Sequence, residues 1–115
     1  MNKKKKSLAF ANLDFLNLLS NYSFHCPNQF RSLIKSANNN EINGLSEVVL
    51  NVLQGNLPCK KKYFKKHISE IRFVGDKLNP INKRRRIVVR KGKGFIGPIL
   101  KLAIPALINL FSEKI

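Results

Sequence analysis

At 115 residues, with 22 Lys+Arg against 6 Asp+Glu and a formal net charge of +16, the chain has room for one small domain and a strong bias toward anionic partners. Two cysteines, Cys26 and Cys59, are too few for a disulfide scaffold, and either a single bridge or two buried free thiols fits them. The acids are scattered, no Ser/His/Asp or Cys/His set is in evidence, and neither His25 beside Cys26 nor Cys59 before His67 has a common zinc spacing, so no enzyme, metal or cofactor is expected.

The charge is unevenly placed. From Ser7 to Cys59, Arg31 and Lys35 face Asp14, Glu41 and Glu47, a balance near −1. From Lys60 to Lys93, fourteen cations face Glu70 and Asp76, a balance of +12. A nearly neutral unit is therefore followed by a basic one. The expected division is a basic N-terminus (1–6), a near-neutral helical core (7–58), a basic DNA-binding region (59–94) and a hydrophobic segment (95–115).

In chain order, Lys3 to Lys6 begin like a signal peptide, but the apolar run breaks at Asn12 and Asp14, so a hydrophobic leader core is not formed. That lysine run reads as a solvated end, or as a nuclear import or phosphate-touching segment. Leu8, Ala11, Phe15 and Leu18 recur at helical spacing, predicting a helix over 7–21, with 22–26 as a loop. Pro27 suits the first position of a helix running to about Ala37. The Asn38-Asn39-Asn40 run supplies a turn and an N-cap for a helix over 41–54, where Ile42, Leu45, Val48, Val49, Val52 and Leu53 form an apolar stripe. Gly55 stops it, and Gly44 within it costs about 1 kcal/mol relative to Ala. These first three helices are expected to form the core.

Beyond Pro58, residues 60–73 predict one two-faced helix, with Phe64, Ile68 and Ile71 on one side and cations on the other, ending near Gly75. Asn79-Pro80 is a cap and first-turn proline for a helix over 80–91, stopped by Gly92 and Gly94. There is no internal repeat and no strand signal. The fold class is all-α: a small bundle of short helices with a basic segment and a hydrophobic C-terminal helix.

Two opposite chemistries meet between Lys83 and Phe111. Residues 83–93 carry seven cations and no acid, while 95–111 are apolar at nearly every position except Lys101. The clumps suit phosphate contact, which releases counterions and is indifferent to sequence. The candidate nucleic-acid ligands are Lys60, Lys61, Lys62, Lys65, Lys66, Arg72, Lys83, Arg84, Arg85, Arg86, Arg90, Lys91 and Lys93. Tyr63, Phe64 and Phe73 lie among them and can stack on bases, although the register of Phe64 favours the core. The candidate membrane or capsid contacts are Phe95, Ile96, Ile99, Leu100, Leu102, Ile104, Leu107, Ile108, Leu110 and Phe111. The tail is short for a spanning helix and is interrupted by Pro98 and Pro105. It reads equally as an interfacial segment and as the last helix of the core.

The stretch Leu45-Ser46-Glu47-Val48-Val49-Leu50-Asn51-Val52-Leu53-Gln54-Gly55-Asn56-Leu57-Pro58, the basic helix after it, and Lys83-Arg84-Arg85-Arg86-Ile87-Val88-Val89-Arg90-Lys91-Gly92-Lys93-Gly94-Phe95 with its apolar end resemble a small protein of adintoviruses and Polinton/Maverick elements. That family is similar in layout to the adenovirus core protein X (mu): a basic block, a Gly-x-Gly junction, a hydrophobic end. The resemblance covers roughly 45–111 and implies a DNA-condensing component of a double-stranded DNA virion, present in the host nucleus during assembly, with a tail that touches capsid or membrane. It places 83–93 in the basic block and 95–111 in the hydrophobic one. The junction departs from adenovirus-type protease sites, which place an aliphatic residue where Arg90 stands. The rival readings are a membrane-active protein, whose cations serve anionic lipid, and a small helical regulator that reads sequence.

Overall fold

In the structure, a computed structural model, residues 8–91 and 93–112 are described. Among the described residues, eight helices follow in order: α1 (Leu8–Ala11), α2 (Leu13–His25), α3 (Pro27–Ser36), α4 (Asn39–Leu53), α5 (Lys61–Lys66), α6 (Ile68–Gly75), α7 (Ile81–Lys91) and α8 (Lys93–Ser112). No strand occurs among the described residues, and the fold is all-α.

The best-signalled element, α4, starts on a full capping box. The Asn38 side chain accepts from the Glu41 N–H at 2.8 Å, and the Glu41 carboxylate accepts from the Asn38 N–H at 2.9 Å. Gly55, at φ +83°, turns the chain out of it. Gly44 has a packing reason to set against its helix cost: a Cβ there would sit 3.0 Å from the Leu8 carbonyl, so α1 crosses α4 where a side chain would crowd its backbone. Glu47 of α4 also holds α1, accepting from the Ala9 N–H at 2.8 Å.

Several predicted boundaries move. The first helix is two, because Asn12 leaves helical geometry and sends its amide to the Leu8 carbonyl (2.8 Å) and the Asn40 carbonyl (3.2 Å). The expected loop over 22–26 is instead helical through His25, with the Cys26 N–H donating to the Tyr22 carbonyl. The single basic helix over 60–73 is also two, broken at His67 (φ −113°, ψ 22°), and Gly94 lies inside α8 rather than ending α7. Gly92 and the Lys3–Lys6 run lie outside the described residues.

The core is not confined to the first three helices. The buried side chains of α8 (Phe95, Ile96, Ile99, Leu100, Ala103, Ile104 and Leu107) join Phe15, Leu16 and Leu19 of α2 and the inner face of α4 in one cluster. α8 packs chiefly along α2, and α6 chiefly along α4. Each fully buried Leu, Ile or Phe contributes about 1.5–3 kcal/mol by leaving water. Pro105 lies on the exposed side of α8, so the N–H it lacks is missing where water can serve the carbonyl four residues earlier.

Candidate nucleic-acid interface

The basic run of α7 is divided by its register. Ile81, Arg84, Arg85 and Val88 recur at helical spacing and turn inward; Lys83, Arg86 and Arg90 recur at i, i+3, i+7 and are exposed. Arg84 is only 4% exposed. Its Nη1 donates to Asn43 Oδ1 (3.0 Å) and Ser46 Oγ (2.7 Å) of α4, and its Nε donates to the Asn79 carbonyl (3.0 Å). Burial pulls its pKa below the ordinary value, and the Asp76 charge works against that fall. Arg85 donates through Nη1 to the carbonyls of Ile34 (2.8 Å) and Ala37 (2.7 Å), closing the C-terminus of α3, where a cation also meets the negative end of the helix dipole. Arg84 and Arg85 therefore leave the set of expected phosphate ligands. They are staples joining α7 to α4 and α3.

The remaining cations stay at the surface. Lys60, Lys61, Lys62, Lys65 and Lys66 at α5, Arg72 on α6, and Lys83, Arg86, Arg90 and Lys91 on α7 are all exposed; the side chain of Lys93 lies outside the described ones. Lys91 is in contact with an acid, its Nζ 3.3 Å from Glu70 Oε2. This contact joins the end of α7 to the start of α6, and Lys66 and Lys91 both bear electrostatically on His67 between them. Lys66 of α5 and Lys91 at the C-terminal end of α7 thus lie near one locus. Its carboxylate is Glu70, whose pKa burial raises, while hydrogen bonds from its own backbone N–H and from Lys91, with the charges of Lys91 and His67, bring it below the ordinary value.

Tyr63 and Phe64 of the basic half pack against the core, while Phe73 is half-buried outside that cluster. Tyr63 donates its hydroxyl to the Phe95 carbonyl at 2.6 Å and lies with its ring 4.5 Å from that of His67, which in turn is 5.8 Å from Phe95. Burial, with a lesser push from Cys59, raises the Tyr63 pKa. Phe64 packs against the core as its register predicts, and Tyr63 does so as well, which withdraws Tyr63 from base stacking.

The expected membrane or capsid contacts are corrected in the same way. Phe95, Ile96, Ile99, Leu100, Ile104 and Leu107 are core residues, because the apolar side of α8 is matched by α2. Leu102 and Ile108 remain on the outer face, and the side chains of Leu110 and Phe111 lie outside the described ones. Among the described residues, no helix is long and apolar enough to cross a membrane.

Cys26 and Cys59 are free and half-buried, and burial pushes the Cys59 pKa up, away from a reactive thiolate. Among the described residues, no three His, Cys, Asp or Glu side chains gather as metal ligands. Sequence reasoning missed two exposed residues beside this surface, Lys77 and Leu78, in the turn between α6 and α7. Comparison with known protein families, with characterised proteins and with solved structures finds no match to this chain.

Proposed function

We propose that the protein is a non-enzymatic structural protein that binds and condenses double-stranded DNA through its phosphates, without reading sequence, as a component of a virion core. The observation that carries the reading is the sorting of cations. With Arg84 and Arg85 turned inward, the exposed set around α5 and α7 still runs from Lys60 to Lys66 and from Lys83 to Lys91. The inward Arg84 and Arg85 are met by neutral carbonyls, an amide and a hydroxyl, while on the exposed set Glu70 meets Lys91 alone among the described ion pairs to Lys or Arg. Lysines and arginines in clumps suit backbone contact; a reader of base edges presents Asn, Gln or Arg from one defined helix face.

The order of blocks shared with the adintovirus and Polinton layout directs the choice toward packaged duplex and toward assembly in the host nucleus. The apolar side of α8 is committed to the core in the folded chain, which favours DNA over a lipid bilayer as the partner of the cations.

The test is fluorescence anisotropy on unrelated duplexes across a salt series. With six to ten phosphates contacted, affinity falls by roughly 10³ to 10⁵ between 50 and 200 mM salt, equally for every sequence. Absence of binding in dilute buffer would falsify the reading, and a strong preference for one duplex would replace it with a sequence-specific regulator.

A further inference from the structure

The turn between α6 and α7 presents an apolar side chain where turn chemistry ordinarily wants Gly, Asn, Asp or Ser. Leu78 is 92% exposed, the highest value among the exposed large hydrophobic residues of the described chain. Isolated surface leucines are common and ordinarily need no explanation. This one differs in how firmly the backbone beneath it is held. The Leu78 N–H donates to Asp76 Oδ1 at 2.9 Å, and the Asn79 N–H donates to the Asp76 carbonyl at 3.0 Å. The Asn79 side chain reaches back to the Phe73 carbonyl at 2.9 Å, and the buried Arg84 grips the Asn79 carbonyl at 3.0 Å. The turn is thus tied to α6 on one side and, through Arg84, to α4 on the other.

Cations stand on both sides of it. Lys77 precedes Leu78 and lines a groove with Arg72, Glu47 and Asp76, while Lys83, which begins the outward stripe of α7, follows within two helical turns; the three cations are exposed. Asp76 is the acid of this turn, and it is oriented onto the Leu78 N–H with its charge set against Arg84. Pro80, also exposed, adds a second apolar surface at the tip.

We infer that Leu78 is a wedge: when the cations engage duplex DNA, its side chain enters a base step from the minor groove, unstacks it and bends the helix. The inference rests on the DNA reading above and adds a mechanism to it. Charge neutralisation alone leaves a stiff rod, with a persistence length of about 150 base pairs. An apolar side chain held in a rigid, cation-flanked turn supplies what a kink requires, and inserted Leu, Ile, Phe, Met or Pro side chains bend duplexes by roughly 20–90°. The free wedge leaves a leucine in water. The bound wedge removes it from water between bases, so the apolar gain is realised only on bent DNA.

The experiment is energy transfer between dyes at the two ends of a duplex of about 30 base pairs, using the full-length chain and its Leu78→Ala, Leu78→Ser and Leu78→Met variants. Position 78 is exposed, so these variants retain the fold, which circular dichroism verifies. Wild type and Leu78→Met raise the transfer at saturation; Leu78→Ala and Leu78→Ser lose most of that rise while keeping the salt dependence of binding. The wedge is overturned if Leu78→Ala bends DNA as wild type does, or if wild type binds the duplex and leaves it straight. It is also overturned if bending is indifferent to Leu78 while adhesion to anionic vesicles depends on it. Failure of wild type to bind duplex at all in dilute buffer sinks the DNA reading and the wedge together, whereas a bound, unbent duplex sinks the wedge alone.

Discussion

Lys83 and Arg86 on one side, Arg84 and Arg85 on the other, are successive cations of a single helix with opposite employment. The inner pair is fixed by hydrogen bonds to α3 and α4; the outer pair faces solvent. The difference lies in angular position on the helix, since Arg84 is four residues before the buried Val88. It also depends on side-chain type. A guanidinium is weakly hydrated and offers five donors in a rigid fork, so it can serve several neutral acceptors at once; an ammonium in the same place would have to shed a tighter hydration shell. Both interior cations are arginines. A run of positive charge is therefore not one functional unit, and a mutation that neutralises all of it confounds folding with binding.

The same inside–outside contrast divides α8, and the largest predicted effect comes from there. Phe95→Ala removes a fully buried ring and costs about 3–5 kcal/mol, whereas Leu102→Ala on the outer face costs under about 1 kcal/mol. Urea denaturation of the two variants measures the gap. Equal and small effects would mean that α8 is not part of the core, and would return the tail to the membrane. Within α7, Arg84→Ala leaves Asn43, Ser46 and the Asn79 carbonyl without their donor, at about 2–3 kcal/mol, while Lys83→Ala stays within about 0.5 kcal/mol. Two melts suffice to check this, and equal stability of both variants would refute the sorting.

Binding inverts the comparison. Removing Lys83, Arg86 and Arg90 together leaves stability nearly unchanged and lowers the slope of log affinity against log salt by about 0.9 per cation that touches phosphate. A folded triple variant with an unchanged slope would move the interface away from α7.

Much of this was readable in the residues, and the exceptions have physical causes. α4 has a period, a capping box and a terminal glycine that all agree, and it stands as expected apart from starting two residues earlier and ending one earlier. α8 is apolar at nearly every position, so periodicity carries no direction; its buried face is chosen by α2, a tertiary fact. Arg84 and Arg85 occupy the apolar register of α7, at the spacing that joins Ile81 to Val88, but their charge weighs toward solvent in any sequence-based reading. Apart from the nearby Asn79 carbonyl, the acceptors that hold them lie about forty to fifty residues away. The break at Asn12 follows from a side chain bonding its own helix and α4 together, which no local window contains. Leu78 has no periodic partner at all, and its exposure emerges only when the turn is built.

The smallest expected effect concerns His67, at the junction of α5, α6, α7 and α8. Burial lowers its pKa below the ordinary histidine value; Glu70, with an oxygen 4.0 Å from Nδ1, opposes this, and the charges of Lys66 and Lys91 reinforce it. The unfolded chain therefore binds a proton at this site at higher pH than the folded chain does. Stability rises with pH wherever the unfolded state holds more protons. The contribution of His67 is thus present above its unfolded value and is lost as pH falls through the lower, folded one. Glu70, also held below its ordinary value, loses its contribution in a separate, more acidic window. Thermal melts across this range should show a first decline that His67→Gln removes and a second that it leaves in place. Bound DNA brings negative potential to the same locus, favours the imidazolium and reduces the first decline. If His67→Gln leaves the first decline intact, burial at this junction does not hold the His67 pKa down in the folded chain.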